Sequence, residues 1–303
     1  MEFTAEIPLG DISVGTGFED IHLAESGWRI IKKAGEAKQF RQILVGRERT
    51  PRRLTRHIKW THVAQCKIPA EELWRNALDQ TLILLRLFKE GYVVTPFCRI
   101  LESRQGGCYS VNWYLPWKNP RYREKPLSIA RSDGPRLKAH LRRAEKFNLY
   151  EFVALRSFSN YYFYPRYVDR LLALATAFDS LLFPVEDVKR DVKSNTPDFA
   201  RRLLAILKPE HNQSYHEKCV WFFEWRHVVV HGRAYVQEEQ IRVLTEDFQR
   251  LCRRLIIELM KRNLLDDFSQ RKKYLNRISG GCPCRIDIGT RISKVRKQIS
   301  KKF

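Results

Sequence analysis

The sequence predicts an α+β chain in three parts. An N-terminal mixed α/β region covers 1–135, an all-α helical bundle covers 136–266, and a basic C-terminal tail covers 267–303. Three observations carry this. Before residue 65, β-branched and aromatic residues alternate roughly with polar ones, which is the strand signature. After 135, apolar residues recur at helical spacing. Beyond 267, lysine and arginine dominate.

The elements follow in order. "FRQILVG" and "HIKWTHVAQC" read as strands. The first convincing helix is "PAEELWRNALDQTLILLRLFKE" at 69–90, with Pro69 at a tolerated first-turn position, Glu71 and Glu72 behind it, and Gly91 as a stop. "YVVTPFCRILES" reads as a strand that Pro96 interrupts. Residues 113–136 hold Pro116, Pro120, Pro126 and Pro135, and proline breaks both helices and ladders, so this stretch reads as the connection between domains. Its Trp113, Tyr114, Trp117 and Tyr122 alternate with Arg and Lys, a mixture that either stacks bases or docks on a core.

About five helices then make the bundle. "RLKAHLRRAEKFNLYEFVALRSFSNYYF" supplies one or two. "PRYVDRLLALATAFDSLLF" follows, with Val168, Leu171, Leu172, Ala175, Phe178, Leu181 and Leu182 on one stripe and Pro184 at its end. "TPDFARRLLAIL" opens with Thr196 as a cap and Pro197 in the first turn. "YHEKCVWFFEWRHVVVH" runs up to Gly232. "EEQIRVLTEDFQRLCRRLIIELMKR" closes the bundle, with Ile241, Leu244, Phe248, Leu251, Leu255 and Leu259 as its apolar stripe.

Charge and composition bound the partners. With 56 Lys+Arg against 34 Asp+Glu, the net charge is +22, which points to a polyanion such as RNA. Arginine is dense at 47–59, where Arg52, Arg53 and Arg56 stand together, and again from 271, where Lys272 and Lys273 lead. These five are the candidate RNA-binding residues, since cations near a polyanion gain affinity by releasing counterions. The first residues show no basic-then-apolar leader, and the longest apolar runs are as short as "LILL" at 82–85. No membrane association is therefore expected. Seven cysteines, an odd number on a large chain, fit reduced thiols and a cytoplasmic location.

Two places break the apolar pattern of the bundle. Asp179 is the only charge between Leu171 and Phe183, and it forms a polar stripe with Thr176 and Ser180. In "EWRHVVVHG", Glu224, Arg226, His227 and His231 sit in a run that otherwise reads as core. At about 100° per residue, Glu224, His227 and His231 fall in one sector of the helix and Arg226 faces away from His231. Burying such groups costs free energy unless a partner holds them. One reading is an ion pair between Asp179 and Arg226 beside two histidines at a helix end. The other is a working site. The lone "CPC" at 282–284 lacks a second pair, and no metal or other cofactor is expected.

"RHVVVHG" resembles the R-x4-H motif of HEPN domains, with Arg226, four residues and then His231. The resemblance is to the Apea-like HEPN group in particular. "DRLLALATAFDSLLF" resembles that group's acid-bearing helix, with Asp179 where Glu is usual. "FARRLLAIL", the Gly after the motif His, and "LILLRLFKEG" also resemble it. The likeness covers about 120 residues and implies a HEPN-type bundle acting as a homodimer with a composite active site. It implies a metal-independent endoribonuclease, with His231 as acid or base, Arg226 on the phosphate, and His227, Asp179 and Glu224 in support. Proteins of this kind serve as toxins or anti-phage defence effectors, so an antitoxin or defence-system partner is also implied. The alternative within the resemblance is a non-catalytic HEPN module that binds RNA or scaffolds a complex.

Overall fold

The structure is a computed structural model of the 303-residue chain. It describes residues 3–10, 12–14, 21–22, 28–45, 50–68, 70, 74–93, 95, 97–102, 108–112, 125–144, 146–164, 166–183, 195–207, 213–230 and 238–280. The chain is mixed α+β and divides into two compact units, Met1–Lys146 and Phe147–Phe303.

The first unit is built on an antiparallel sheet. Its strands are β1 (Phe3–Gly10), β3 (Ile21–His22), β4 (Arg29–Val45), β5 (Thr50–Ile68), β6 (Phe97–Glu102) and β7 (Cys108–Asn112). They lie in the order β3-β4-β5-β1-β6-β7. A short parallel pair joins β2 (Ile12–Val14) to β8 (Leu127–Ile129). Side chains alternate across a strand, so register decides what is buried. Ala5 faces Cys66 and Ile100, and Ile7 and Ile30 both face Ala64, which makes a continuous apolar face. Helix α1 (Trp74–Phe88) contacts β1, β5, β6 and the following helix α2 (Gly134–Ala144).

The opposite face carries a polar row across four strands, Arg99–Glu6–Gln65–Arg29. Glu6 is buried and accepts from Lys33 Nζ at 2.6 Å, Gln65 Nε2 at 2.7 Å and Arg99 at 3.5 Å, and Arg29 donates to Gln65 at 2.6 Å. A buried carboxylate survives because each oxygen has a donor. Two glycines are required locally. A Cβ on Gly35 would stand 2.5 Å from the Trp60 ring that crosses it. Gly91, at φ +152°, would place a Cβ 2.3 Å from Leu127 Cα.

The proline-bearing stretch read as a connection is therefore partly regular. Residues 113–124 lie outside the described residues, but Leu127–Ile129 pairs with β2, and α2 belongs to the first unit. Helix α1 covers Trp74–Phe88 of the expected 69–90.

The second unit is helical. It comprises α3 (Val153–Asn160), α4 (Tyr167–Leu182), α5 (Asn195–Leu207), α6 (Gln213–Val230), α7 (Glu238–Lys261) and α8 (Phe268–Gly280). Four phenylalanines from four helices form its centre: Phe178, Phe199, Phe222 and Phe248, the last two stacked at 4.1 Å. Phe178 meets the other three edge-on, the arrangement that aromatic quadrupoles favour. Residues 222–225 are all buried, so α6 is surrounded on every side at mid-length.

The tail from 267 departs from expectation. Its first part is α8, which packs on α5 and buries Leu275 and Arg271. Arg202 of α5 donates to Asn276 of α8 at 3.3 Å. Lys272 and Lys273 stand on this helix; Lys273 is exposed and Lys272 half-buried. The helix escaped the sequence reading because its few apolar positions are spaced among four basic residues.

Buried arginines recur where the chain leaves a helix. Arg170 donates to Tyr164 O just past α3 at 2.7 Å, Arg202 to Leu182 O at the end of α4 at 2.6 Å, and Arg271 to Leu265 O past α7 at 2.7 Å. Arg86 reaches Val93 O past α1 at 3.4 Å. Leu182 O is one of the last carbonyls that a helix leaves unpaired, and the other three are carbonyls of the turns that follow, which need a donor once buried.

Candidate functional site

The site is built on α4 and α6. Along α4, Leu171, Leu174, Ala175, Phe178, Leu181 and Leu182 turn inward. Asp179 lies one position beyond Phe178 and so falls at the edge of the buried stripe. Thr176 and Ser180, one turn apart on the exposed side, each bond back to the carbonyl four residues earlier, at 3.0 and 2.9 Å. Such back-bonding satisfies the hydroxyls locally.

Arg226 stands one turn before the end of α6. Its Nη2 donates to Asp179 Oδ2, and its guanidinium lies over the Phe223 ring at 5.0 Å. The two charged side chains keep 29% and 31% exposure, so the pair lies at the rim of the core rather than within it. That differs from the fully buried link the sequence allowed. Burial pushes the Asp179 carboxyl up from its ordinary value, and the Arg226 charge opposes the shift. Phe223 is the contributor that sequence reasoning passed over. Its spacing of three residues on a helix put it beneath Arg226.

The other expected residues fall as follows. Glu224 is buried and His227 half-buried, both on α6. His231 lies outside the described residues and follows Val230, the last residue of α6, directly in sequence. Val230 is exposed. Arg52, Arg53 and Arg56 lie in β5, opposite Ile43, Gln42 and Gln39. They belong to the first unit, whereas Arg226 and Asp179 belong to the second.

The arrangement supplies a planar, permanently charged donor set at the protein surface, steadied from one side by a carboxylate and from below by an aromatic ring. Such a guanidinium retains donors beyond those given to Asp179 and suits a phosphate or carboxylate. Among the described residues, no group of three His, Cys, Asp or Glu gathers as metal ligands would, and no helix is long and apolar enough to cross a membrane. Comparison with family models, with curated proteins and with solved structures finds no match to this chain.

Proposed function

We propose that the chain is a metal-independent endoribonuclease of the HEPN type. The observation that carries the reading is the Asp179–Arg226 pair, held at the rim of an apolar bundle on the helix that leads into His231. In this reading the RNA 2′-hydroxyl attacks the adjacent phosphate. His231 accepts the hydroxyl proton or delivers one to the leaving 5′-oxygen. Arg226 holds the non-bridging oxygens as their charge grows. Asp179 positions Arg226, and His227 and Glu224 support the same helix end. Two copies of the chain bring two such sets together, and a role as a toxin or anti-phage effector follows from the same resemblance.

The test incubates the protein, in EDTA, with mixed-sequence single-stranded RNA and with tRNA. Cleavage that leaves 2′,3′-cyclic phosphate ends is expected. Arg226→Ala and His231→Ala should each lower kcat by about 10²–10⁴. Asp179→Asn should lower activity while changing stability by less than about 1 kcal/mol, as for a half-exposed pair. Wild-type cleavage retained in His231→Ala refutes the reading.

A second reading has its own support. The guanidinium of Arg226 is already paired with Asp179 and stacked on Phe223, as in a structural pair. A non-catalytic module of this kind binds RNA or scaffolds a complex, and it predicts RNA binding without cleavage by the wild type.

A further inference from the structure

Helix α2 carries its positive charge differently from α5 and α7. On those two helices Arg201, Arg242, Arg250 and Lys261 each pair with an acid three residues earlier. On α2, Arg136, Lys138 and Arg142 are exposed and Arg143 is half-buried, and Lys146 just past the helix is exposed too. Among the described residues, Arg136 comes within 3.9 Å of Asp133, and Lys138, Arg142, Arg143 and Lys146 make no ion pair. Asp133 is already committed: it is buried and accepts from Ala130 N at 2.9 Å and from Lys89 Nζ at 2.8 Å. Glu145 lies outside the described residues.

The apolar side of α2 faces the fold. Leu137, Leu141 and Ala144 are buried together with His140, whose bond to Leu84 O ties α2 to α1. At about 100° per residue, Arg136 and Arg143 then form one row and Lys138 and Arg142 a second, with Pro135 and Ala139 between them. Local structure does not account for this pattern. Lys138 and Arg142 stand four residues apart, where like charges on a helix repel. The helix dipole favours cations in the last turn, so it suits Arg142 and Arg143, but it disfavours Arg136 in the first.

We propose that this face of α2 is a nucleic-acid contact that holds the phosphate backbone and reads no base. A polyanion laid on the two rows relieves their repulsion and gains affinity as its counterions are released. Three of the four cations on the helix are arginines, whose planar forks match phosphate oxygens. The face offers no aromatic ring on which a base would stack. The helix is about 16 Å long, and a DNA duplex carries one charge per about 1.7 Å of axis, so each cation has a phosphate within reach. A membrane surface fits less well, because an interfacial helix sinks an apolar face into the bilayer, and the apolar face of α2 is buried in the fold. The contact lies in the first unit and holds whether or not the chain cleaves RNA.

The test measures binding of the full chain to a short labelled DNA duplex across a salt series. DNA lacks the 2′-hydroxyl that the ribonuclease reading requires, so binding is read apart from cleavage. Arg136→Gln/Lys138→Gln/Arg142→Gln should reduce the slope of log K against log salt by about 3, one for each phosphate that is no longer neutralised. Arg136→Lys/Arg142→Lys should keep the wild-type slope. Arg201→Gln/Arg250→Gln/Lys261→Gln removes the same charge from paired positions and should leave the slope unchanged. Two duplexes of unrelated sequence should bind alike, because phosphates carry no sequence information. Circular dichroism confirms that each variant folds. An unchanged slope in the folded α2 glutamine variant overturns the proposal, as does an equal reduction in the paired-position variant. So does an α2 glutamine variant that no longer binds phosphatidylserine vesicles but keeps its hold on the duplex.

Discussion

His140 offers a direct test of the packing in the first unit. It is buried on α2, its Nε2 donates to Leu84 O at 3.1 Å, and its ring lies 5.8 Å from that of Phe88. Desolvation pulls its pKa down from 6.5 to about 4; the Leu84 bond opposes this and the Arg143 charge adds to it. The folded state thus binds fewer protons than the unfolded state between these values, so stability rises with pH across that window. His140's contribution is complete above about 6.5 and is lost as pH falls towards about 4. A difference of about 2.5 pH units corresponds to about 3 kcal/mol. The perturbation is His140→Gln, which keeps an amide donor and does not titrate. Urea unfolding, followed by pulsed amide exchange on α1 and α2 peptides, is run at about pH 7 and about pH 4.5. The carboxylates and other histidines titrate alike in both proteins and cancel in the difference. Wild type should lose about 2–3 kcal/mol more than the variant over this range. Parallel losses would falsify the assignment of His140 as a neutral buried donor.

Other outcomes follow from the packing. Phe248→Ala removes a ring stacked on Phe222 at 4.1 Å and should cost the helical unit about 3–5 kcal/mol in urea unfolding. Gly91→Ala forces a Cβ towards the Leu127 backbone at a positive φ and should destabilise the first unit by about 1–3 kcal/mol or more, whereas unchanged stability would contradict the geometry. Cys66 and Cys98 are buried, with thiols pushed up to about 12 by desolvation, and burial raises Cys219 and Cys252 as well. Iodoacetamide at about pH 8 should label none of these four until the chain is unfolded, as peptide mass spectrometry would show.

The sequence made some of this legible for local reasons. Helices α3 to α7 of the second unit announce themselves through apolar spacing, and Asp179 and Arg226 stand out as charges within them. Their partnership was readable as one of two options, because a charge at the edge of an apolar stripe needs a counter-charge. The polar row across the sheet was not readable. Glu6, Gln65, Arg29 and Arg99 meet only through the register of four strands distant in sequence. The full length of β4 and β5 was obscured by "RERTPRR", whose charges and proline interrupt the alternation that marks a strand. Helix α8 hid for a similar reason, since Arg271 takes the place of an apolar residue by burying its stem and bonding two carbonyls.

The arginines at the helix exits divide the chain's positive charge into two populations. Arg86, Arg170, Arg202 and Arg271 are committed to carbonyls inside the fold and release no counterions to a polyanion. Added salt screens exposed charges far more than buried ones. A salt concentration that screens the surface charges will therefore leave the turns after α1, α3, α4 and α7 fastened. For a protein carrying +22, purification in high salt without loss of the fold is the expected consequence.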